Sequence, residues 1–283
     1  MPSPLPAYLL VALAACTMPP RTERGIELVV CDLAGTTVDY GSVTPAICFR
    51  EVFRRHSLDV TDAELAGPMG KRKDDHIREV LAIPRITAQW QARHGGAAPG
   101  EADVQAMLRE FVQLDHDLLP TTSLPVPGVP EALRVLHTDG VKIAYTSGYP
   151  RELMDICLAN LRAAGAPVDA SCAADEVPSG RPAPHMLLRC LIELDGRDVS
   201  RCIAIGDTEA DIRAGKSAGF VTVGVVQSGM LVGLTREEQL RLPPHELQQR
   251  FAAARARLRT YGADHVLDDA SQLPQLIVSL RHR

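Results

Sequence analysis

Short apolar runs that alternate with helical patterns are the feature that most constrains the fold of this chain. The first run is Glu-Leu-Val-Val-Cys-Asp at 27–32. Later runs lie at 141–146, 168–173, 202–205 and 221–225, with a weaker one at 265–267. Helical patterns lie at 129–138, 150–164, 184–194, 209–218 and 236–260. Strands that alternate with helices predict βαβ units and a parallel sheet, which binds ligands at the carboxyl ends of its strands.

The interval 43–121 departs from this alternation because it contains no convincing strand pattern. Thr44 and Pro45 supply a helix N-cap and a proline at the first helical position. Residues 61–64 (Thr-Asp-Ala-Glu) form a capping box. Four prolines divide the rest of the interval into separate helices: Pro68, Pro84, Pro99 and Pro120.

We therefore predict an α/β fold with a Rossmann-like parallel sheet core and an inserted small helical cap domain. The core comprises 26–42 and 122–283, and the cap comprises 43–121. The hinges are expected at 39–44 and 120–130. Residues 1–25 are an N-terminal extension.

The composition argues against nucleic acid as a partner. The chain of 283 residues has a net charge of −5 and only 4% aromatic residues, so it has neither a basic footprint nor a set of stacking side chains. Its seven cysteines are scattered and form no C-x-x-C pair. This pattern favours free thiols in a reducing cytoplasm over a disulfide framework or a zinc site.

The N-terminus leaves two interpretations open. Residues 1–20 carry no charged side chain, and residues 13–16 (Leu-Ala-Ala-Cys) resemble a lipoprotein cleavage box ending at Cys16. However, a basic n-region is missing, and the apolar run 8–15 is too short to span a bilayer. We favour a start near Met18 and a cytoplasmic protein without membrane attachment, with a lipoprotein anchored through Cys16 as the minor alternative.

Two acidic motifs follow predicted strands. Asp32 ends the first strand and precedes a turn that contains Gly35, so its carboxylate is expected to project into a site. Asp207 and Asp211 lie four residues apart just after the strand at 202–205, where both can face one cation. Taken alone, the first motif is also typical of a strand-ending turn, and the second of acids that cap a helix.

Two further motifs suit a phosphoryl group. Ser147 and Gly148 follow the second predicted strand, where a hydroxyl and a backbone N–H can hold two phosphate oxygens. Arg181 precedes a proline at a helix start, and its guanidinium can neutralise a phosphoryl group bidentately. Each motif alone is weak, and Arg181 alone would be interpreted as a solvated residue of a surface turn.

In their order and spacing the four motifs resemble the haloacid dehalogenase superfamily over nearly all of 27–280. The resemblance implies that Asp32 attacks phosphorus and forms an aspartyl-phosphate. It also implies that Ser147 and Gly148 bind the phosphoryl group while Arg181 balances its charge. The implied Mg²⁺ ligands are Asp32, the backbone carbonyl of Ala34, Asp207 and Asp211.

Ala34 is the departure from the superfamily pattern that matters most. Phosphatases of the superfamily carry a second Asp at this position, as the general acid for an alkoxide leaving group. A chain with Ala34 instead is expected to handle phosphate esters poorly. It needs another way to stabilise its leaving group.

Residues 68–76 (Pro-Met-Gly-Lys-Arg-Lys-Asp-Asp-His) supply another way to stabilise the leaving group. They resemble the cap segment of the phosphonoacetaldehyde hydrolase family, in which a lysine forms a Schiff base with the substrate aldehyde. Lys73 matches that lysine, Met69 and His76 match flanking positions of the site, and Tyr149 matches the residue after the phosphate loop. On one helix Met69, Lys73 and His76 would share a face. An iminium next to the broken C–P bond accepts its electrons as an enamine, so no acid is required at Ala34. Without Ala34 and these matches, residues 71–73 would be interpreted as a solvated basic patch. The two cations before Lys73, Lys71 and Arg72, are expected to lower its pKa.

Further matches to the family are 36–41, 175–178 and 233–235, while Leu33, Ser42 and the basic pair Lys71–Arg72 depart from it. The resemblance implies cleavage of phosphonoacetaldehyde to acetaldehyde and phosphate, in the degradation of 2-aminoethylphosphonate, by a homodimer. One alternative is a related hydrolase acting on another phosphonate or a phosphate ester. A second is an exported lipoprotein that kept the fold without catalysis, which the intact acidic set opposes.

Overall fold

The computed structural model describes residues 25–281 and is built around a six-stranded parallel sheet. The strands are β1 (Leu28–Cys31), β2 (Lys142–Ser147), β3 (Ala170–Ala173), β4 (Cys202–Gly206), β5 (Val221–Val225) and β6 (His265–Leu267). Their order in the sheet is β3-β2-β1-β4-β5-β6. All five pairings are parallel, so the predicted α/β fold with a parallel sheet is confirmed.

The central strand β1 lies between β2 and β4. All four of its residues are buried, as a continuous apolar run requires in a sheet covered on both faces. The chain passes from β1 to β2 on one side and reaches β4 on the other, so the order of strands reverses at β1. Ligands of open parallel sheets bind at such a reversal, outside the carboxyl ends of the strands.

The helices of the sheet domain follow the predicted pattern with two differences: the stretch predicted at 236–260 is divided, and the last helix of the chain was not predicted. They are α6 (Val129–Thr138), α7 (Arg151–Ala163), α8 (His185–Glu193), α9 (Glu209–Ala218), α10 (Arg236–Arg241), α11 (Pro244–Thr260) and α12 (Leu273–Arg281). The single helix predicted at 236–260 is wrong, because α10 and α11 are separate. Leu242 is extended, with φ −75° and ψ 147°. Pro243 explains this break, since a proline disfavours the helical conformation of the residue before it.

Six helices lie between β1 and β2, and we call the first five of them the helical insertion. They are α1 (Val43–Arg55), α2 (Asp62–Ala66), α3 (Lys73–Leu81), α4 (Pro84–Arg93) and α5 (Glu101–Thr122). The capping box of Thr61 and Glu64 is present at the start of α2, as predicted.

Two details of the helix boundaries in the insertion were predicted wrongly. Ser42, in a left-handed conformation, is the N-cap of α1, so Thr44 lies inside the helix. Pro120 lies inside α5 rather than beyond it, and the predicted hinge at 120–130 therefore begins with helical residues. Both prolines concerned, Pro45 and Pro120, lie near a helix end. At Pro45, in the first turn, the missing N–H would have no partner within the helix anyway.

One hydrophobic cluster joins the insertion to the sheet. It contains Val29 and Cys31 of β1 together with Phe49 of α1, Ile77 of α3 and Phe111 of α5. The insertion therefore packs as part of the same core rather than as a separate body. Within residues 25–281, no helix is both long and apolar enough to cross a membrane. The predicted cleavage box at Cys16 and the start at Met18 lie outside the described residues.

Candidate active site

Three buried carboxylates meet at the carboxyl edge of the sheet. Asp32 directly follows β1, Asp207 directly follows β4, and Asp211 lies in the first turn of α9. One ligand oxygen of each residue lies within 4.8 Å of those of the others. The adjacency of β1 and β4 thus brings together residues that are far apart in the sequence.

Hydrogen bonds from neighbouring groups orient Asp207 and Asp211. The backbone N–H of Met230 donates to Asp207 Oδ2 at 2.7 Å, and Thr36 Oγ1 donates to Asp207 Oδ1 at 3.3 Å. The N–H of Thr208 donates to Asp211 Oδ2 at 3.0 Å, as part of the capping box of α9. Sequence reasoning did not single out Thr36 or Thr208 as site residues, although both stand inside the motifs around Asp32 and Asp207.

The three carboxylates together fit a divalent cation. Burial raises the pKa of Asp32 to about 6, with a further contribution from the charge of Asp211. Burial, followed by the charges of Asp32 and Asp211, raises the pKa of Asp207 well above its usual range. Hard carboxylate oxygens are the ligands that Mg²⁺ prefers, and a cation removes the repulsion among them. Ala34 lies two residues after Asp32, in a bridge with Val38.

Arg181 is buried in the site, so the alternative of a solvated surface turn is wrong. The residue is 4% exposed, and Nη1 forms ion pairs with Asp32, at 2.5 Å, and with Asp211. Nη2 donates to the carbonyl oxygen of Thr146 at 2.8 Å and to its Oγ1 at 2.6 Å. The guanidinium group of Arg181 is therefore held between the end of β2 and the acidic cluster.

The loop after β2 carries Ser147, Gly148 and Tyr149, all of them buried. Ser147 is the last residue of the strand, and its Oγ accepts a hydrogen bond from the N–H of Tyr149 at 3.1 Å. The register between β2 and β1, in which Cys31 pairs with Tyr145, places Ser147 at the same edge of the sheet as Asp32.

Segment 70–72 of the insertion packs directly on the sheet edge. A Cβ added to Gly148 would lie 2.2 Å from the carbonyl oxygen of Lys71. A Cβ on Gly180 would lie 2.4 Å from Cγ of Arg72, and one on Gly70, whose φ is +85°, would lie 2.3 Å from Thr208 Oγ1. Three glycines thus let the backbone of the insertion approach this close, and we call this contact the glycine seat.

Lys73 begins α3 immediately after the glycine seat. Its side chain is buried, and Nζ lies 4.6 Å from the ring centroid of Tyr149. Burial lowers the pKa of Lys73, and the charge of Arg181 lowers it further. Lys73 forms no ion pair with any residue in 25–281, and the rings of Phe49, Phe111 and Tyr149 lie around its Nζ.

Two predictions about the surroundings of Lys73 were wrong. Met69 precedes α3 and lies in a turn, so it shares no helix face with Lys73 and His76; it lines a groove with Ser42 and Met230. Lys71 and Arg72 are not the charges that lower the pKa of Lys73. Instead, Lys71 pairs with Glu79 at 2.7 Å and Arg72 pairs with Asp74 at 3.2 Å. These surface pairs offset the two positive charges.

His76 lies one turn further along α3 and is completely buried. Its ring stacks on Phe49 with centroids 3.7 Å apart, and neither ring nitrogen has a hydrogen-bond partner among the described residues. Burial lowers the pKa of His76 well below its usual value, with a further contribution from the charge of Lys73. The imidazole is therefore neutral at neutral pH and can accept a proton only from a stronger acid.

Asp115 and Cys48 are buried neighbours of this region that sequence reasoning missed. The Cys48 thiol donates to Asp115 Oδ1 at 3.0 Å. A signal for Asp115 does exist in the sequence, because it interrupts the buried apolar face of α5 formed by Val104, Met107, Phe111 and Leu119. A carboxylate on an apolar helix face is unusual enough to mark a candidate functional residue.

Comparisons with known proteins agree with this geometry. The sequence profile described as haloacid dehalogenase-like hydrolase matches residues 26–219, which is more than half of the chain. The structure of a β-phosphoglucomutase from Clostridium difficile is similar in fold alone, with a TM-score of 0.64 at 18% identity over 91% of this chain and 97% of that one. The profile match defines the class of hydrolase, and the structural match supports the fold.

More similar relatives define the family within that class. Phosphonoacetaldehyde hydrolases from Bacillus cytotoxicus and Bacillus anthracis are 38% and 37% identical over 252 residues, covering 89% of this chain and 95% of each relative. The crystal structure of a phosphonoacetaldehyde hydrolase-like protein from Oleispira antarctica matches with a TM-score of 0.88 at 34% identity, over 92% of this chain and 94% of that one. The chain therefore belongs to the phosphonoacetaldehyde hydrolase family of the haloacid dehalogenase-like hydrolases, a family of enzymes.

Proposed function

We propose that this enzyme cleaves the C–P bond of phosphonoacetaldehyde to give acetaldehyde and phosphate, through a Schiff base on Lys73 and an aspartyl-phosphate on Asp32. The observation that carries the proposal is the buried Lys73 amine, which the glycine seat holds at the edge of the sheet where the acidic cluster lies. Ala34, where an ester phosphatase would need an acid, points to the same chemistry. The buried amine is suited to attack an aldehyde, because burial lowers the pKa of Lys73.

The imine provides the electron acceptor that C–P cleavage requires. The neutral amine of Lys73 adds to the aldehyde carbon, and loss of water with uptake of one proton gives an iminium. When Asp32 attacks phosphorus, the C–P bond breaks and its electron pair moves to the iminium to form an enamine. Protonation of the enamine carbon and hydrolysis of the new iminium release acetaldehyde and return Lys73 to its amine form.

The phosphoryl group would remain on the sheet side of the site. Asp32 is the nucleophile, and water hydrolyses the aspartyl-phosphate to phosphate. Arg181 balances the phosphoryl charge, and Ser147 and Gly148 bind its oxygens. Asp32, Asp207, Asp211 and the backbone carbonyl of Ala34 would hold Mg²⁺, which supplies charge neutralisation for the phosphoryl oxygens.

The insertion would provide the proton transfers and the shape of the aldehyde site. His76 is neutral, has no protein hydrogen-bond partner in the described chain and has a lowered pKa, so it would relay the proton of the nitrogen-protonated addition product, which is a stronger acid than the Lys73 ammonium. The Tyr149 ring packs over the Lys73 amine, and its hydroxyl likewise has no partner among the described residues. Met69, which belongs to the hydrophobic cluster between the insertion and the sheet, would line the apolar side of the aldehyde site.

Substitution of Lys73 tests the proposal. Lys73→Arg keeps a positive charge but loses the nucleophile, since a guanidinium does not deprotonate in proteins. We expect this variant to bind phosphonate without cleaving it, measured as acetaldehyde release in a coupled assay. Lys71→Arg is the matched control, because Lys71 is paired with Glu79 at the surface and should keep its activity.

Reduction during turnover locates the imine. Borohydride added with substrate should inactivate the enzyme and leave an alkyl adduct on the peptide that contains Lys73. Unchanged activity, or an adduct on Lys71 alone, would overturn the Schiff-base assignment and the substrate with it. Release of phosphate from p-nitrophenyl phosphate at a rate equal to that from the phosphonate would favour the alternative of an ester substrate.

The biological setting belongs to the same proposal. We place the reaction in the degradation of 2-aminoethylphosphonate, in a cytoplasmic homodimer. All six cysteines within residues 25–281 are free, as is typical of proteins in a reducing compartment. Sedimentation velocity will report the oligomeric state, and cell fractionation will report the location.

A further inference from the structure

Asp115 is a buried residue of α5, and one of its two carboxylate oxygens forms no hydrogen bond with the described residues. The residue is 0% exposed, and Oδ1 accepts the hydrogen bond from Cys48. Oδ2 has no hydrogen-bond partner among residues 25–281, and no ion pair to Asp115 exists within the same residues. Burying a carboxylate in this way is costly, so its presence on the apolar face of α5 calls for a function.

The packing of the insertion places Asp115 beside Lys73. Nζ of Lys73 lies 5.7 Å from the ring centroid of Phe111, which is one helical turn before Asp115 on α5. The same Nζ lies 5.6 Å from the ring centroid of Phe49, the residue after Cys48 on α1. Helices α1, α3 and α5 therefore converge on the Lys73 amine, and the Cys48–Asp115 pair lies at this point of convergence.

The charges of the two residues act mainly on each other. Asp115 is the carboxylate whose charge raises the pKa of Lys73 most, ahead of Asp32, while burial dominates and lowers it. Burial raises the pKa of Asp115 to about 7, and the hydrogen bond from Cys48, followed by the charge of Lys73, opposes this rise. The other titratable groups that act on the pair are Asp32 and Asp39 after β1, Cys48 of α1, His76 of α3, Tyr149 after β2, Cys157 of α7 and Arg181 before α8.

We propose that Asp115 is the counter-ion of the iminium that Lys73 forms with the substrate aldehyde, held in place by the Cys48 thiol. The inference rests on the proposed function, since it concerns the charge of that intermediate. Asp115 acts through Lys73 and is a positioning residue rather than a catalytic one. Asp115 would supply the negative charge next to the iminium, which the residues that bind the phosphoryl group do not supply.

The chemistry needs such a counter-ion because the two forms of Lys73 make opposite demands. The amine must be neutral to add to the aldehyde, and burial among Phe49, Phe111 and Tyr149 favours the neutral form. The iminium must keep its proton and its positive charge, because only the charged form accepts the electron pair of the C–P bond. A nearby carboxylate stabilises that charge in a site that otherwise disfavours it.

The substitution Asp115→Asn tests the inference through two pH profiles: kcat/KM reports the Lys73 ammonium of the free enzyme, and kcat reports the iminium of the substrate-bound enzyme. Loss of the carboxylate lowers the pKa of both the Lys73 ammonium and the iminium. The amine is then free at a lower pH, and the iminium loses its proton at a lower pH. The acid limb of kcat/KM and the alkaline limb of kcat should therefore both move to lower pH by about one unit or more, with the larger loss of activity in the alkaline limb of kcat.

Matched variants separate charge from structure. Asp117→Asn changes the same helix two residues further on, where the side chain is 65% exposed, and should leave the profile unchanged. Asp115→Glu should restore the alkaline limb at least in part. Cys48→Ala keeps the carboxylate but removes its hydrogen-bond donor. Cys48→Ala should shift the pH dependence of activity in the same direction as Asp115→Asn, by a smaller amount. It therefore still tests the inference if Asp115→Asn fails to fold.

A direct measurement uses acetaldehyde and cyanoborohydride, which alkylate Lys73 through its iminium without any phosphonate. The pH of half-maximal labelling, followed by peptide mass spectrometry, should be lower in Asp115→Asn than in the wild type. If wild-type Lys73 is labelled and Asp115→Asn has the wild-type pH dependence in labelling and turnover, the counter-ion role is overturned while the proposed function stands. If wild-type Lys73 is not labelled, the proposed function and the counter-ion role fall together.

Discussion

Asp32 is held at the end of an apolar strand, where burial opposes its charge and Arg181 favours it. We predict that Asp32→Asn abolishes phosphate release, because an amide cannot attack phosphorus. The coupled acetaldehyde assay should fall to background, while Asp139→Asn, an exposed change at the end of α6, should retain activity. Turnover near the wild-type rate would remove Asp32 from its role as nucleophile.

The same substitution carries a prediction about stability and pH. In the folded chain the pKa of Asp32 is raised to about 6, above the value near ~3.9 of an unfolded chain. The unfolded state therefore loses its proton first, so the free energy of unfolding falls as pH rises from about 4 to about 6. The amide of Asp32→Asn does not titrate, and thermal unfolding of this variant at pH 8 should show a melting temperature no lower than that of the wild type. A clear decrease would mean that the ion pair with Arg181 stabilises the fold.

Polar atoms without protein partners concentrate around Lys73. Among the described residues they are Thr44 Oγ1, both ring nitrogens of His76, Asp115 Oδ2 and the Tyr149 hydroxyl. Buried polar atoms are normally paired, and unpaired ones cost about 1–3 kcal/mol each. Their concentration in one region indicates a site built to bind a polar ligand rather than to maximise stability.

At the level of elements, the glycine seat joins the start of α3 to the loop after β2. We predict that Gly148→Ala displaces segment 70–72, because the new Cβ would lie 2.2 Å from a backbone carbonyl oxygen that cannot rotate away. A shift of about 1 Å at Lys73 should reduce kcat/KM about 100-fold.

Gly67→Ala is the control for this prediction. Gly67 lies in the insertion with helical backbone angles, and the nearest atom to an added Cβ is 3.8 Å away. This variant should keep its activity. Equal activity of Gly148→Ala and Gly67→Ala would show that the insertion does not need the close approach.

At the scale of the whole molecule, a cation at the acidic cluster would link β1 to β4 and α9. We predict that chelation removes activity and that Mg²⁺ restores it. Mg²⁺ at about 100 times its Kd should add about 2.7 kcal/mol to the free energy of unfolding. The melting temperature should therefore rise by several degrees in the wild type and much less in Asp207→Asn. Full activity in excess chelator would contradict the metal assignment.

The N-terminal extension carries the last prediction. The described fold begins at Gly25 and its first strand at Leu28. A chain that starts at Met18 retains all these residues, so we expect it to fold and turn over like the full-length chain. Comparison of circular dichroism spectra and kcat between the two chains will check this. A chain from Met18 that is insoluble or inactive would give residues 1–17 a structural role.

The sequence by itself determined the order of strands and helices and the residues at the carboxyl edge of the sheet. Buried parallel strands are continuous apolar runs, so Asp32, Ser147 and Asp207 could be placed at strand ends before any tertiary contact was known. Arg181 could be named from its motif, but not its ion pairs with Asp32 and Asp211. Its partners depend on how the loop before α8 packs onto the sheet.

Only the tertiary structure decided the surroundings of Lys73. It showed that Lys71 and Arg72 are offset by surface pairs, that Met69 lies outside α3, and that Asp115 and Cys48 share the interior with the amine. The physical reason is that the interactions around Lys73 join residues that are far apart in the sequence. Strand and helix patterns are local, whereas the charge environment of a buried amine depends on side chains that separate helices bring together.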